Sequence, residues 1–272
     1  MDYTSSMENL SKNRHCTNHI NYWKDKLRST PVTDLLPNWQ LSLKKSDTGS
    51  TAVKKFLVDP CSTQNLKHIA AGLKKTLFCI LIALHKITIW KMTGQEEQVI
   101  IALNPGRINA DFKNIIGNIS TEIAYKTNLY GNPDFREITE RVSRTMNESF
   151  LHQPVPLYWV YRELSNDGVS FRAPGMSFIP DSTENDEEIP RDLRVDPPVE
   201  SHGCHGFPVP YSMVFRETHK TIEVSMTYRK DLYSELTVNT FLDHFRKNIS
   251  EAINNQNKKL YDFKRDLNFT YY

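Results

Sequence analysis

The sequence predicts an α/β chain, with a mixed sheet and helices packed on it. Three observations carry that reading. Residues 66–73 and 135–150 repeat apolar side chains at helical spacing. Residues 221–228 alternate without a break, setting Ile222, Val224, Met226 and Tyr228 against Thr221, Glu223, Ser225 and Thr227. That is the pattern of a strand buried on one face. Residues 99–103 (VIIAL) are apolar throughout, as in a central strand covered on both faces. Helices and strands interleave along the chain, so the two are expected in packed layers.

The first nineteen residues show no periodicity and read as a flexible leader, 1–19. A short helix follows, with Tyr22, Trp23 and Leu27 on one side and Lys24, Asp25 and Lys26 on the other. Pro31 and Pro37 bracket a loop carrying Trp39, and residues 52–58 read as a strand. Ser62 or Thr63 can cap a helix over 64–75, whose Leu66, Ile69, Ala70 and Leu73 share a face. Thr76 opens a second helix over 77–92 that is apolar almost all round in its first half. Such a helix belongs inside a core, and Gly94 ends it.

A strand over 119–126 follows Gly117. Asn132 as cap and Pro133 in the first turn start a helix through Phe135, Ile138, Val142, Met146 and Phe150. A shorter helix around 157–164 precedes strand-like pieces at 169–172 and 176–179. Residues 181–206, rich in Asp, Glu and Pro, form a long loop. The alternating strand is expected to pair antiparallel with 209–216. A last helix, 237–254, presents Val238, Phe241, Leu242, Phe245, Ile249 and Ile253, and 257–272 is a tail. One lobe over 20–256 accounts for all of this.

Composition excludes several classes. Against 32 acidic residues stand 34 Lys and Arg, a net +2, without the basic excess of a nucleic-acid binder. Hydrophobic residues make up 39% and charged residues 24% of the 272, as in a folded chain rather than a disordered one. Cys16, Cys61, Cys79 and Cys204 are scattered without a CxxC pair, which fits a reducing, cytoplasmic setting. The longest apolar run, Leu77 to Leu84, stops at His85-Lys86, too short to span a bilayer.

Several stretches, taken in order, carry a resemblance. They are YWKDKL (22–27), TLFCILIALHKITIWKMTGQEEQVIIALNPGR (76–107), IIGNISTEIAYKTNLYGNPDFREI (115–138), HQPVPLYWVYREL (152–164), and the final strand and helix. In this register the chain resembles the second half of nonribosomal peptide synthetase condensation domains, of the chloramphenicol-acetyltransferase-like superfamily. The resemblance implies one lobe of a two-lobed fold whose tunnel lies between the lobes. The superfamily's His-His-x-x-x-Asp-Gly motif belongs to the other lobe. None of the nine histidines here is adjacent to another, and the lone Asp167-Gly168 has no histidine at the needed distance upstream.

The resemblance therefore implies a stand-alone half that completes a condensation site with an N-lobe protein. The substrates would be carried on the phosphopantetheine of a partner carrier protein, and the chain itself would need no cofactor. A non-catalytic platform for a carrier protein or tailoring enzyme is the alternative. A homodimer with a rebuilt site using His152 or His205 is the third. Neither nucleic acid nor membrane is an expected partner.

Arg107 stands at the resemblance's strand-end Gly-Arg, where it would dock on an acidic residue of the partner lobe. A solvated arginine or local ion pair is the plain alternative. Asn118, Thr121, Glu122, His152 and Gln153 fall at tunnel-lining positions, with His152 the candidate catalytic group and a helix-capping or buried histidine the alternative. The resemblance expects a hydroxyl where Glu122 stands, an acidic residue at Pro154 and a Phe-Glu pair at Leu157-Tyr158. His202, Cys204 and His205 invite a metal, but their spacing is too tight and a fourth ligand is missing, so none is expected. The acidic run Glu184–Glu188 reads as a solvated loop.

Overall fold

The computed structural model describes residues 14–30, 32–35, 50–104, 106–107, 112, 114–117, 119–169, 172–181 and 209–263. The elements are α1 (Arg14–Arg28), β1 (Thr51–Val58), α2 (Pro60–Gly72), α3 (Leu77–Thr93), β2 (Glu97–Asn104) and β3 (Thr121–Asn128). Then come α4 (Phe135–Leu151), α5 (Leu157–Asn166), β4 (Gly175–Ile179), β5 (Tyr211–Glu217), β6 (Ile222–Arg229), α6 (Glu235–Asn254) and a 3-10 turn, Leu260–Phe263. The strands form one mixed sheet in the order β1-β6-β5-β4-β2-β3. β4 runs parallel to both β5 and β2, and the remaining pairs are antiparallel.

The α/β reading holds, and the alternating strand pairs with its expected neighbour from Tyr211↔Tyr228 to Glu217↔Ile222. The apolar strand β2 is internal but lies next to an edge, between β4 and β3. Its Val99 to Ala102 are buried in one core cluster with the apolar side chains of α3. Thr76 caps α3 by accepting from Cys79 N at 3.2 Å, and Gly94 closes it at φ 74°. His85 and Lys86, where the apolar run breaks, are themselves fully buried. Lys86 Nζ donates to the carbonyls of Gln98 (3.0 Å) and Tyr125 (3.2 Å), and Gln98 Nε2 returns a bond to Lys86 O at 3.0 Å. The cation thereby ties α3 to both β2 and β3, and burial pulls it down to about 7.

Four local expectations are corrected. The cap of α2 is Asp59, which accepts from Ser62 N at 2.9 Å, because Pro60 already opens the helix one turn before Ser62 or Thr63 could act. Likewise α4 is capped by Asp134, accepting from Glu137 N, while Asn132 sits at φ 52° in the preceding turn. The stretch 1–19 is not all leader, since α1 begins at Arg14 and buries Cys16, Trp23 and Leu27 on one stripe. Polar residues on its other face hid that spacing. The tail 257–272 is anchored at its start. Leu260 and Phe263 are buried, Leu260 N donates to Pro133 O at 2.9 Å, and Tyr261 stacks on Trp90. Trp39 with its bracketing prolines, the middle of the strand-like piece 169–172, and nearly all of the loop 181–206 lie outside the described residues.

Two features position the rest. Val32 to Leu35 form a strap across the sheet end. Thr33 N donates to Arg172 O, and Thr33 Oγ1 accepts from Val99 N at 2.8 Å. Asp34, fully buried, accepts from Tyr233 OH and from Leu35 N, and pairs with Arg172 at 3.0 Å. The second feature is the sheet's β3 rim. Ser149 Oγ, Thr145 Oγ1 and Arg141 Nη1 of α4 donate to the carbonyls of Ala124 (2.9 Å), Lys126 (3.2 Å) and Asn128 (3.3 Å). Four helical residues rise about 6 Å and two strand residues about 6.6 Å, so helix and strand stay in step.

Candidate functional site

Of the expected site residues, Thr121, Glu122 and Gln153 stand around one end of β2 and β3, on different faces. Where β2 ends, Asn104 opposes Thr121 across the strand pair. Asn104 Nδ2 donates to Gln153 Oε1 at 2.6 Å, and its Oδ1 accepts from Gly106 N at 3.1 Å. That joins the end of β2 to the turn after α4, bringing Thr121 and Gln153 to one face. Gly106 sits at φ 72°, against the backbone of Ile119.

Arg107 is exposed, and its Nη1 donates to the carbonyls of Phe112 (2.8 Å) and Ile115 (3.0 Å). Among the described residues it faces no carboxylate, so here it closes its own loop. Asn118 lies outside the described residues.

Glu122 is in register with Leu103, on the face opposite Gln153. Leu103 is exposed, as is Ile116 in the loop leading into β3. Burial alone pushes the Glu122 carboxyl up to about 7. A group held near neutrality can bind an amine or exchange a proton. Its folded pKa is raised, so its contribution to stability is present in acid and lost as pH rises through about 7. Glu122→Gln is therefore expected to raise stability above neutrality and leave it nearly unchanged in acid, read as urea midpoints. Equal shifts at both ends of the range would contradict the assignment.

His152 turns away from this pair. It ends α4 as its C-cap, and its ring stacks on Tyr22 at 3.5 Å between centroids, 5° from parallel. Its Nδ1 lies 2.9 Å from Nδ1 of His19, so one ring donates and the other accepts. Trp23 Nε1 donates to His152 O at 3.1 Å. Tyr22 OH donates to Glu148 at 2.7 Å, and Lys26 pairs with that carboxylate at 2.9 Å. Burial, with the His19 ring beside it, draws His152 below its ordinary value. The ring is thus a neutral anchor between α1 and α4. His19 escaped the sequence reading because it falls within the supposed leader; its place on the α1 stripe was the signal that could have found it.

His202, Cys204, His205 and the acidic run Glu184–Glu188 lie outside the described residues. Among the described residues no three His, Cys, Asp or Glu are arranged to hold a metal ion, and no single helix is long and apolar enough to cross a membrane.

Comparison with known proteins gives a family match. A family model described as Condensation domain matches residues 1–265. Surfactin synthase subunit 1 of Bacillus subtilis (strain 168) is 23% identical over 244 residues, 89% of this chain and 7% of that protein. Among solved structures, the complex of the X-domain and OxyB from teicoplanin biosynthesis matches with a TM-score of 0.73 at 16% identity, over 92% of this chain and 55% of that one. The first condensation domain of the CDA synthetase matches with a TM-score of 0.70 at 16% identity, over 95% of this chain and 54% of that one. The chain thus spans about half the length of these solved domains and a small part of the synthase subunit.

Proposed function

The chain belongs to the condensation-domain family, and from that premise we propose that it supplies the C-terminal half of a condensation site in nonribosomal peptide assembly. A partner lobe bearing the His-His-x-x-x-Asp-Gly motif completes the site. That lobe handles the proton as the acceptor amine attacks the thioester of an acyl group on a carrier protein's phosphopantetheine. The amide forms and the carrier thiol leaves. This chain contributes one wall of the tunnel, orientation of the substrates and the loop of Arg107.

The observation that carries the reading is the unequal coverage. Solved domains match nearly all of this chain and only about half of themselves, while the nine histidines here include no adjacent pair. The exposed Leu103 in register with Glu122, and the exposed Ile116 in the loop before β3, suit a surface that a second lobe would cover.

A second reading keeps the fold as a non-catalytic platform. Glu122, Pro154 and Tyr158 replace the expected tunnel residues, and one structural neighbour is an X-domain in complex with OxyB. This favours binding a carrier protein or a tailoring enzyme.

Mixing the chain with an N-lobe carrying the motif and with loaded donor and acceptor carrier proteins separates the two. Amide product, detected by mass only when both lobes are present, is the expected result. Carrier binding without product in any N-lobe mixture would select the platform. Product from this chain alone would overturn both.

A further inference from the structure

A polar cavity of about 600 Å³ opens between α1, the β2–β3 edge and α4, away from the Glu122 end of β3. Its chemistry follows from the stitching of the rim. Leu129 N bonds Glu96 O, so in the β2–β3 register the residues 122, 124, 126 and 128 turn their amides and carbonyls outward. Side chains of α4 take up the carbonyls of 124, 126 and 128. What the rim still offers is amides, and Lys126 and Asn128 both line the cavity.

The cations around it are unequally engaged. Lys26 pairs with Glu148, Lys126 with Glu97, and Arg141 with Glu137. Arg144 lines the cavity, exposed; its charge helps hold the Glu140 carboxyl below its ordinary value, but among the described residues no carboxylate pairs with it directly. Asp25 is the lining carboxylate likewise without an ion pair among the described residues.

We infer that this cavity binds a phosphate group, through Arg144 and the outward amides of Lys126 and Asn128, with the carboxylate-paired ammonium groups of Lys26 and Lys126 beside it. Strand amides and a guanidinium together match the several acceptor oxygens of a phosphate, and the volume leaves room for an organic body attached to it. A second strand is a poor occupant, since the carbonyls it would need are taken. The inference is independent of the partner lobe proposed above.

The test is amide NMR of the full chain titrated with inorganic phosphate and, separately, with phenyl phosphate. Saturable shifts centred on Lys126 and Asn128 are expected with at least one of them. Arg144→Ala should weaken binding about fivefold, the size of one solvent-exposed charge contact, and Asp25→Asn should tighten it. Tighter binding of phenyl phosphate assigns the site to a phosphate carried on a larger molecule; tighter binding of inorganic phosphate assigns it to the free ion. Shifts that do not saturate with either probe, or an Arg144→Ala affinity equal to that of the parent, would overturn the inference.

Discussion

Gly106→Ala is expected to cost about 3 kcal/mol of stability or more, with a matching fall in the urea midpoint. The position stands at φ 72°, and a Cβ built there would lie 1.7 Å from Ile119 O and 2.7 Å from Ile119 C. Both are backbone atoms, so no side-chain rotation relieves the contact. The crossing of the two segments holds Asn104 against Gly106 N and Gln153, and it starts the loop that Arg107 closes. The same variant should therefore move the amide resonances of Gln153 and Ile115. A Gly106→Ala protein that keeps its midpoint and these resonances would show that the crossing can open without loss.

Asp34→Ala is the second large effect, expected to cost about 3–5 kcal/mol. The carboxylate is fully buried and holds Tyr233 OH, Leu35 N and the Arg172 guanidinium. Removing it strands a buried hydroxyl and an arginine while releasing the strap from the end of the sheet. Tyr233→Phe deletes one bond and leaves the ion pair, so it should cost only about 1 kcal/mol. Equilibrium unfolding of the two variants side by side measures the difference. Equal losses would mean that Arg172 contributes little and that the hydroxyl bond dominates.

The elements that could be read in the sequence are those whose reason lies within a few residues. α3 has its cap, its apolar body and its closing glycine in one stretch, and β6 alternates on its own. Features set by distant neighbours escaped. Asp34 lies in a segment without periodicity and takes its meaning from Arg172 and Tyr233, far along the chain. Lys86 reads as the polar end of an apolar run until the carbonyls of β2 and β3 are placed over it. The same holds for the site. Thr121, Glu122 and Gln153 were named from the resemblance, whereas their division between two faces follows from strand register. His152 was singled out in the sequence, but its contacts could not be seen without α1, which supplies His19 and Tyr22.

The stitched rim has a consequence for self-association. Side chains of α4 occupy β3 at one extremity of the sheet, while β1 terminates the other, and no described strand lies beyond it. Copies that met edge to edge could therefore join only β1 to β1, an arrangement that saturates as a pair. Strand-to-strand polymerisation needs two receptive edges on every subunit, and among the described residues this sheet has one.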